Sequence, residues 1–241
     1  MKFARRFSGL ALAATLMFAA AAQANESVIR KALMQQFPGA NIASVTKTPY
    51  SGLFEVYLDG QLIYVDAKAQ YVFAGDVIDL KNRTNLTQAR LNRLQAVKWD
   101  TLPLNNALKT VKGNGARKLV VFSDVDCPYC RKFEEELAKV DNITVYTFLY
   151  PVEGLHPQAV QISKQIWCAP DRNKAWNDYI TRGTVPGNDG KCVNPVEATI
   201  ALGSKLKVSG TPTIIFANGQ RVPGMVPAAQ LERLLAANAR Q

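Results

Sequence analysis

Residues 119–131, LVVFSDVDCPYCR, decide the fold of this chain. Their first four residues are apolar and predict a buried strand, and the stretch from Cys130 to Val140 predicts a helix. Cys127 and Cys130 therefore stand where a strand ends and a helix begins. A cysteine pair in that place is typical of a dithiol that opens and closes as a disulfide.

The spacing of this CPYC motif suits thiol–disulfide exchange. Two intervening residues let the two sulfurs close a small ring that forms and breaks easily. Unpaired backbone N–H groups at the start of the helix stabilise a thiolate at Cys127, which predicts that Cys127 is the attacking nucleophile. Cys130, one turn into the helix, is then the resolving thiol, which attacks the mixed disulfide that Cys127 forms.

Other uses of the motif fit less well. Half of a zinc site would need a second close cysteine pair, whereas Cys168 and Cys192 are far apart and the chain has one histidine. Haem attachment needs a histidine after the second cysteine, where Arg131 stands. A purely structural short-loop disulfide remains open but is disfavoured by the strand-to-helix context. We therefore expect redox chemistry that uses no cofactor and no metal.

Cys168 and Cys192 flank a predicted helix and a glycine-rich loop. A structural disulfide is the expected pairing, and the chain-entropy model gives a loop of that size a stabilisation of about 3.5 kcal/mol. A second redox centre is the alternative, but no activating motif surrounds either cysteine.

Composition limits the remaining classes of function. The chain has 241 residues, 48% of them hydrophobic, which predicts a packed core and excludes wholesale disorder. Its single histidine, His156, argues against histidine-rich metal sites and against Ser/His/Asp or Cys/His triads. Lysines and arginines outnumber acids 29 to 19 but are scattered and not interleaved with aromatics, so no nucleic-acid partner is expected.

Residues 1–24 have the pattern of a secretory signal peptide. A short basic start precedes an apolar run over residues 10–22, and Ala22-Gln23-Ala24 supplies the small-x-small cleavage site. The apolar run is shorter than the roughly 20 residues that a membrane span needs. We therefore expect cleavage after Ala24 and export to the periplasm, where paired cysteines form disulfides.

The rest of the chain divides into three predicted segments. Residues 25–84 predict one helix on a small antiparallel sheet, with a hairpin turn at Asp59-Gly60. A core of that size is commonly completed by oligomerisation, so this segment is predicted to dimerise. Residues 85–98 predict a linker helix, with packing on the following domain as the alternative. Residues 99–241 predict an α/β domain with a helical insertion, a hairpin and a terminal helix.

Together these features resemble the thioredoxin superfamily and, more closely, the DsbC family of periplasmic thiol:disulfide isomerases. The resemblance rests on CPYC, on IWCAPDRNKAWND (166–178), on Cys192, on VSGTPTIIFANGQRVPG (208–224) and on the cysteine-free N-terminal segment. It covers essentially the whole chain after the signal peptide. It implies a mixed α+β and α/β fold: a thioredoxin-like catalytic domain with a helical insertion, joined to a small cystatin-like N-terminal dimerisation domain.

The resemblance also implies roles for residues and partners. By the family pattern Cys127 attacks and Cys130 resolves, while Thr211 and a cis Pro212 contact the active-site disulfide and the substrate backbone. The implied assembly is a homodimer that acts on misoxidised or unfolded exported proteins. A membrane electron donor of the DsbD type keeps the pair reduced, and the family also has a chaperone activity that is independent of the thiols.

One position departs from the family pattern. The best-known members have glycine where this chain has Pro128, and proline there is shared with the sister protein DsbG. The intervening residues, Pro128 and Tyr129, tune the stability of the thiolate and so the redox balance. We therefore interpret the chain as an isomerase, with a DsbG-like reductase of sulfenic acids or narrow-client isomerase, or a DsbA-like thiol oxidase, as alternatives. Cys168 and Cys192 correspond to the structural disulfide of the family.

Overall fold

The computed structural model describes residues 25–50 and 52–238, and the predicted signal peptide lies outside the described residues. The chain forms two compact units, which divide between Leu94 and Gln95. Within the described part, no helix combines the length and the apolar character that crossing a membrane would require.

The N-terminal unit is a four-stranded antiparallel sheet with a helix. Helix α1 spans residues 25–36. The strands, in sheet order, are β1 (Ile42–Lys47), β2 (Phe54–Leu58), β3 (Gln61–Val65) and β4 (Val72–Phe73). Ile29 and Leu33 of α1 share one buried core with Phe54 and Val56 of β2, as expected for an amphipathic helix that covers one face of a sheet.

The β2–β3 hairpin turns at Asp59 and Gly60, as the sequence predicts. Both residues have positive φ angles, 49° and 87°. That left-handed conformation is what a two-residue hairpin turn of type I′ requires, and it explains the Asp-Gly sequence.

A short hairpin that the sequence does not predict follows this sheet and leads into a helix. The elements are β5 (Ile78–Asp79), β6 (Thr84–Asn85) and α2 (Leu86–Leu94). The hydroxyl of Thr87 lies 2.5 Å from that of Tyr64, and Arg90 pairs with the buried carboxylate of Glu55 at 2.7 Å. Helix α2 is therefore fastened to the N-terminal sheet.

Helix α2 ends at Leu94, before the end of the predicted linker segment. Val97 is buried in the C-terminal unit, where its N–H donates to the carbonyl of Gly219 at 3.0 Å. Gly219 has a φ of 86°, and a Cβ there would come within 2.4 Å of the carbonyl oxygen of Val97. The residues after Leu94 are thus held by the second unit and do not extend the helix.

The C-terminal unit contains a five-stranded mixed sheet and five helices. The strands are β7 (Leu108–Lys112), β8 (Arg117–Ser123), β9 (Ile143–Leu149), β10 (Thr213–Phe216) and β11 (Arg221–Pro223), in the order β11-β10-β8-β9-β7. Strands β8 and β9 are parallel and the other neighbours are antiparallel. The helices are α3 (Pro128–Leu137), α4 (Ala159–Trp167), α5 (Arg172–Arg182), α6 (Val196–Lys205) and α7 (Ala228–Asn238). Two short 3-10 helices, Trp99–Thr101 and Leu104–Asn106, precede β7.

Strand β8 is the central strand of this sheet, and the CPYC motif follows its C-terminal end. Its residues 119–122 are fully buried, because helices and loops cover both faces, and this explains the unbroken apolar run in the sequence. On one face Phe133 of α3 packs with Leu231 of α7. On the other, Phe122 stacks on Phe148 with ring centroids 5.0 Å apart.

The predicted elements of this unit are confirmed, with one omission. The strands at 119–122 and 143–149, the helices at 157–168 and 171–182, the C-terminal hairpin and the terminal helix are all present with ends shifted by a few residues. Strand β7 is not predicted from the sequence, because LKTVK has too few apolar residues to indicate a strand. The mixed fold with a helical insertion, between β9 and β10, is as expected.

Candidate active site

The CPYC motif begins helix α3. Cys127 is the N-cap residue and Pro128 is the first helical residue. Proline suits that place because its missing N–H would have had no partner in the helix. The carbonyl of Cys127 accepts the backbone N–H of Cys130 at 3.1 Å and that of Arg131 at 3.2 Å, and both cysteines are free thiols.

A second loop meets Cys127 from a distant part of the chain. The thiol of Cys127 donates to the carbonyl oxygen of Thr211, with Sγ and O 3.4 Å apart. The Thr211–Pro212 peptide bond is cis, and β10 begins directly after it. Antiparallel pairing of Thr213 with Phe122 places the start of β10 beside the end of β8, and so brings this loop to the motif.

Both cysteines are buried: Cys130 is fully buried, and Cys127 is 7% exposed. Burial, and to a smaller extent the neighbouring Cys127, raise the pKa of the Cys130 thiol to about 12. The hydroxyls of Ser123 and Thr211 and the backbone N–H of Asp124 hydrogen bond to this sulfur and favour its thiolate, but they offset only part of the effect of burial. At neutral pH, Cys130 therefore carries its proton.

A buried carboxylate that the sequence analysis did not single out lies between β8 and the motif. Asp124 is fully buried. Its Oδ1 accepts the N–H of Asp126 at 2.8 Å, and its Oδ2 accepts the N–H of Val152 at 2.6 Å. The same Oδ2 lies 3.0 Å from Nδ1 of His156. Two backbone N–H groups and the ring of His156 thus replace the water that this carboxylate would otherwise bind.

A second aspartate connects the motif to the helical insertion. Oδ1 of Asp126 accepts the hydroxyl of Tyr179, on α5, at 2.6 Å. Burial, and then the hydrogen bond to Asp126, raise the pKa of Tyr179 well above its usual value, so the hydroxyl keeps its proton and donates. The loop from Asp124 to Cys127 is therefore held from both the β9–α4 loop and α5.

Helix α3 also carries a half-buried glutamate, Glu134. Oε1 of Glu134 is buried and has no hydrogen-bond partner among the described residues, while the carboxylate also hydrogen bonds to Trp176 of α5. Burial raises the pKa of Glu134 to about 7, against the lowering effects of Trp176 and then Lys112. Glu134 thus changes its charge near neutral pH, one helical turn after Cys130.

The side chain of Tyr129 lies on the surface beside this pair. It is 60% exposed, and Nζ of Lys132 lies 5.8 Å from its ring centroid. An exposed aromatic ring next to Cys127 can contact an apolar segment of a bound polypeptide.

The other two cysteines of the chain form a disulfide with each other. Cys168 and Cys192 are bonded, with their Cα atoms 5.6 Å apart. Cys168 is the C-cap residue of α4 and Cys192 lies in the loop before α6, so the bond closes the loop that contains α5. In the part of the chain that the structure describes, no group of three or more side chains is arranged to hold a metal ion.

Comparisons with known proteins agree with this architecture along the chain. The family described as the disulfide bond isomerase protein N-terminal domain matches residues 20–88, and the thioredoxin-like domain family matches residues 104–239. Each family covers one of the two structural units.

Individual relatives are more specific. The probable thiol:disulfide interchange protein DsbC of Bordetella parapertussis is 43% identical over 207 residues, which are 86% of this chain and 73% of that protein. The thiol:disulfide interchange protein DsbC of Escherichia coli K12 is 28% identical, over 90% of each chain. The solved disulfide interchange protein from Neisseria gonorrhoeae has 44% identity and a TM-score of 0.55, and covers 57% of this chain and 98% of that one. The chain therefore belongs to the DsbC family of thiol:disulfide interchange proteins, which are disulfide oxidoreductases of the thioredoxin superfamily.

Proposed function

We propose that this protein is a disulfide isomerase, which rearranges incorrect disulfides in exported proteins through Cys127 and Cys130. The observation that carries the proposal is the asymmetry of the two thiols. Cys127 is 7% exposed and lies at the N-terminus of α3 against the Thr211 carbonyl, whereas Cys130 has no exposed surface and has a pKa of about 12.

The chemistry begins with the thiolate of Cys127. It attacks one sulfur of a substrate disulfide, forms a mixed disulfide and releases the other substrate sulfur as a thiolate. In isomerisation, a substrate thiolate then attacks the substrate sulfur of the mixed disulfide, forms a new substrate disulfide and returns Cys127 as a thiolate. No electrons are gained or lost overall.

The competing route is reduction of the substrate. Here the thiolate of Cys130 attacks the sulfur of Cys127, closes the Cys127–Cys130 disulfide and releases the substrate thiolate. Because burial keeps Cys130 protonated at neutral pH, this attack needs a proton to leave first. The mixed disulfide therefore persists long enough for substrate thiols to act, which favours isomerisation.

Residues around the pair have proposed roles in binding and tuning. The carbonyl of Thr211 borders the sulfur of Cys127; the backbone of Thr211 would pair with the substrate backbone, while Pro212, through its cis bond, would set that geometry and contact substrate. Pro128 fixes the first turn of α3, and Tyr129 offers an exposed ring beside Cys127, so these two residues would tune the redox balance and contact substrate. The Cys168–Cys192 bond would act only as a structural disulfide.

The N-terminal unit supports a homodimer. Strand β4 is an edge strand, and large apolar side chains are exposed on it, directly before it and in the β5–β6 hairpin that follows. These are Tyr71, Val72, Phe73, Ile78 and Leu80, which are between 46% and 86% exposed. An unpaired edge with exposed apolar side chains is a surface on which a second copy can continue the sheet. We assign residues 25–84 to dimerisation, 85–98 to the linker and 99–241 to catalysis.

Location and partners follow from the same function. With residues 1–24 as a cleaved signal peptide, the enzyme would work in the periplasm on misoxidised or unfolded exported proteins. Isomerisation needs Cys127 reduced in an oxidising compartment, so an electron donor of the DsbD type is required. Exposed apolar side chains outside the β4 edge, such as Tyr129 and Leu155, would also support a chaperone activity that does not need the thiols.

Pro128 favours a second candidate function. A DsbG-like enzyme would reduce sulfenic acids: Cys127 attacks the sulfenic sulfur, water leaves, and Cys130 then resolves the mixed disulfide. A DsbA-like oxidase is the other alternative, and it has less support because oxidation alone needs no dimer.

Rates on two substrates separate these functions. We expect the native protein to restore the activity of scrambled ribonuclease in a glutathione buffer. This reaction should be much faster than its reduction of a sulfenylated model protein. The reverse order would replace the isomerase by the DsbG-like function. Rapid oxidation of reduced ribonuclease with little reshuffling would indicate the oxidase.

A further inference from the structure

The turn between β8 and α3 connects Asp124 to both active-site cysteines. The carbonyl of Asp124 accepts the backbone N–H of Cys127 at 3.3 Å, and its N–H hydrogen bonds to the sulfur of Cys130. The side chain closes the turn on itself through the N–H of Asp126 at 2.8 Å. A change in the position of Asp124 therefore moves groups that contact both cysteines.

His156 reaches this carboxylate from the β9–α4 loop. Its backbone is fixed, because its N–H donates to the carbonyl of Val152 at 2.9 Å and its carbonyl accepts the N–H of Ala159 at 3.0 Å. Its side chain is 23% exposed, and its Nδ1 lies 3.0 Å from the fully buried Oδ2 of Asp124. A carboxylate accepts only, so Nδ1 carries the proton and donates, in the neutral and in the cationic ring alike.

We infer that His156 is a positioning residue of the dithiol, which acts on Cys127 and Cys130 through its hydrogen bond to Asp124. Without the ring, Asp124 would keep two backbone donors for a carboxylate that has no access to water. A buried carboxylate that is short of one donor either relaxes and moves the turn, or presents a less compensated negative charge to the two sulfurs. Either change disfavours a thiolate at the motif and favours the closed, uncharged disulfide.

The inference rests on the proposed redox function of the pair, and the test keeps the two apart. The reaction is protein dithiol plus oxidised glutathione giving protein disulfide plus two reduced glutathiones, and its equilibrium constant is measured by trapping free thiols. The informative pair of variants is His156→Leu, which fills the space without a donor, and His156→Asn, whose amide nitrogen lies as many bonds from Cα as Nδ1 does.

We expect His156→Leu to shift the equilibrium towards the disulfide by about threefold to tenfold, the range expected when one hydrogen bond to a buried group is lost. His156→Asn should restore the native value to within about twofold. Equal constants for His156→Leu and native protein, or equal shifts in the two variants, would overturn the inference and leave the redox function intact. A native protein that does not exchange with glutathione would overturn both.

A spectroscopic measurement decides the matter if His156→Leu does not fold. The chain has one histidine, so the imidazole nitrogen signals of the untagged native protein belong to His156 alone. We expect its Nδ1 to be protonated and protected from exchange with water. A neutral ring protonated only at Nε2 would overturn the inference.

Discussion

The two cysteine pairs of the C-terminal unit share one chemistry and differ in their surroundings. Cys127 and Cys130 are free thiols at the start of α3, next to a carbonyl, two hydroxyls and a backbone N–H. Cys168 and Cys192 are bonded across 24 positions, beside a helix C-terminus and a surface loop. At the first pair, the two hydroxyls and the backbone N–H favour a thiolate at Cys130. The second pair links the two ends of a loop, which stabilises the fold. The position and the surroundings of a cysteine pair therefore distinguish a redox-active dithiol from a structural disulfide.

The largest effect should come from removing the attacking sulfur. We expect Cys127→Ser to lower the isomerisation of scrambled ribonuclease to the uncatalysed rate, because a serine hydroxyl does not attack a disulfide. Cys130→Ser should instead accumulate mixed disulfides with substrate, visible on non-reducing gels, since resolution by the second thiol is lost. Full activity of the Cys127→Ser variant would show that Cys127 is not the attacking thiol, and would contradict the distinction between the two cysteine pairs.

Removing the other pair should change stability and leave the chemistry in place. We expect the double variant Cys168→Ser/Cys192→Ser to lose about 3.5 kcal/mol in the free energy of unfolding, measured with urea. Its isomerase rate, measured well below its melting temperature, should stay close to native. A rate as low as that of Cys127→Ser would mean that the second pair takes part in the reaction.

Glu134 sharpens the contrast, because it joins the catalytic helix to the insertion that the second pair closes. Its folded-state pKa of about 7 lies above its usual 4.5, so the folded protein holds an extra proton between these pH values. The stability that this proton supplies is fully present below pH 4.5 and is lost as the pH rises through about 7, at most about 3 kcal/mol.

The measurement for Glu134 is the difference in unfolding free energy between Glu134→Gln and native protein. We expect it to shift in favour of the variant by up to about 3 kcal/mol from pH 4.5 to pH 8. Glu135→Gln is the matched control, since Glu135 is the neighbouring exposed glutamate, and it should show no such trend. If the difference for Glu134→Gln stays constant over this pH range, the raised pKa of Glu134 is contradicted.

The smallest effect concerns the hydroxyl of Ser123, which hydrogen bonds to the sulfur of Cys130. We expect Ser123→Ala to slow the release of a labelled peptide from its mixed disulfide with Cys127 by about fivefold, because one hydrogen bond of about 1 kcal/mol to the Cys130 thiolate is lost. Ser163→Ala is the control. The Ser163 hydroxyl is buried without a hydrogen-bond partner among the described residues, and release should keep its native rate. Equal effects of the two substitutions would contradict a role of the Ser123 hydroxyl in stabilising the Cys130 thiolate.

What the sequence predicts well is local, and what it misses depends on contacts between distant residues. Strand β8, the CPYC motif and α3 follow from an apolar run, two cysteines and a proline within one short stretch. The roles of Asp124 and Asp126 do not, because their partners Val152 and Tyr179 lie 28 and 53 positions away. An available signal was the presence of two acids directly after a buried strand, where an unpaired charge would be costly.

The N-terminal unit shows the same limit. Its main hairpin follows from Asp59-Gly60, which favour positive φ angles. The two-residue strands β5 and β6 are too short to have a period, and the end of α2 at Leu94 is set by Val97, which packs in the other unit. The sequence pattern does not indicate where α2 ends, because this depends on the packing of Val97 in the core of the C-terminal unit.

The most direct test of the difference between the two pairs is the thiol state of the protein taken from its native compartment, with free thiols trapped at once by a maleimide reagent. The account predicts that Cys127 and Cys130 carry the label while Cys168 and Cys192 remain bonded. Such a result requires an electron donor in that compartment and fits isomerisation. Both pairs found as disulfides would contradict the account and indicate an oxidase, with Pro128 as the first residue to replace by glycine.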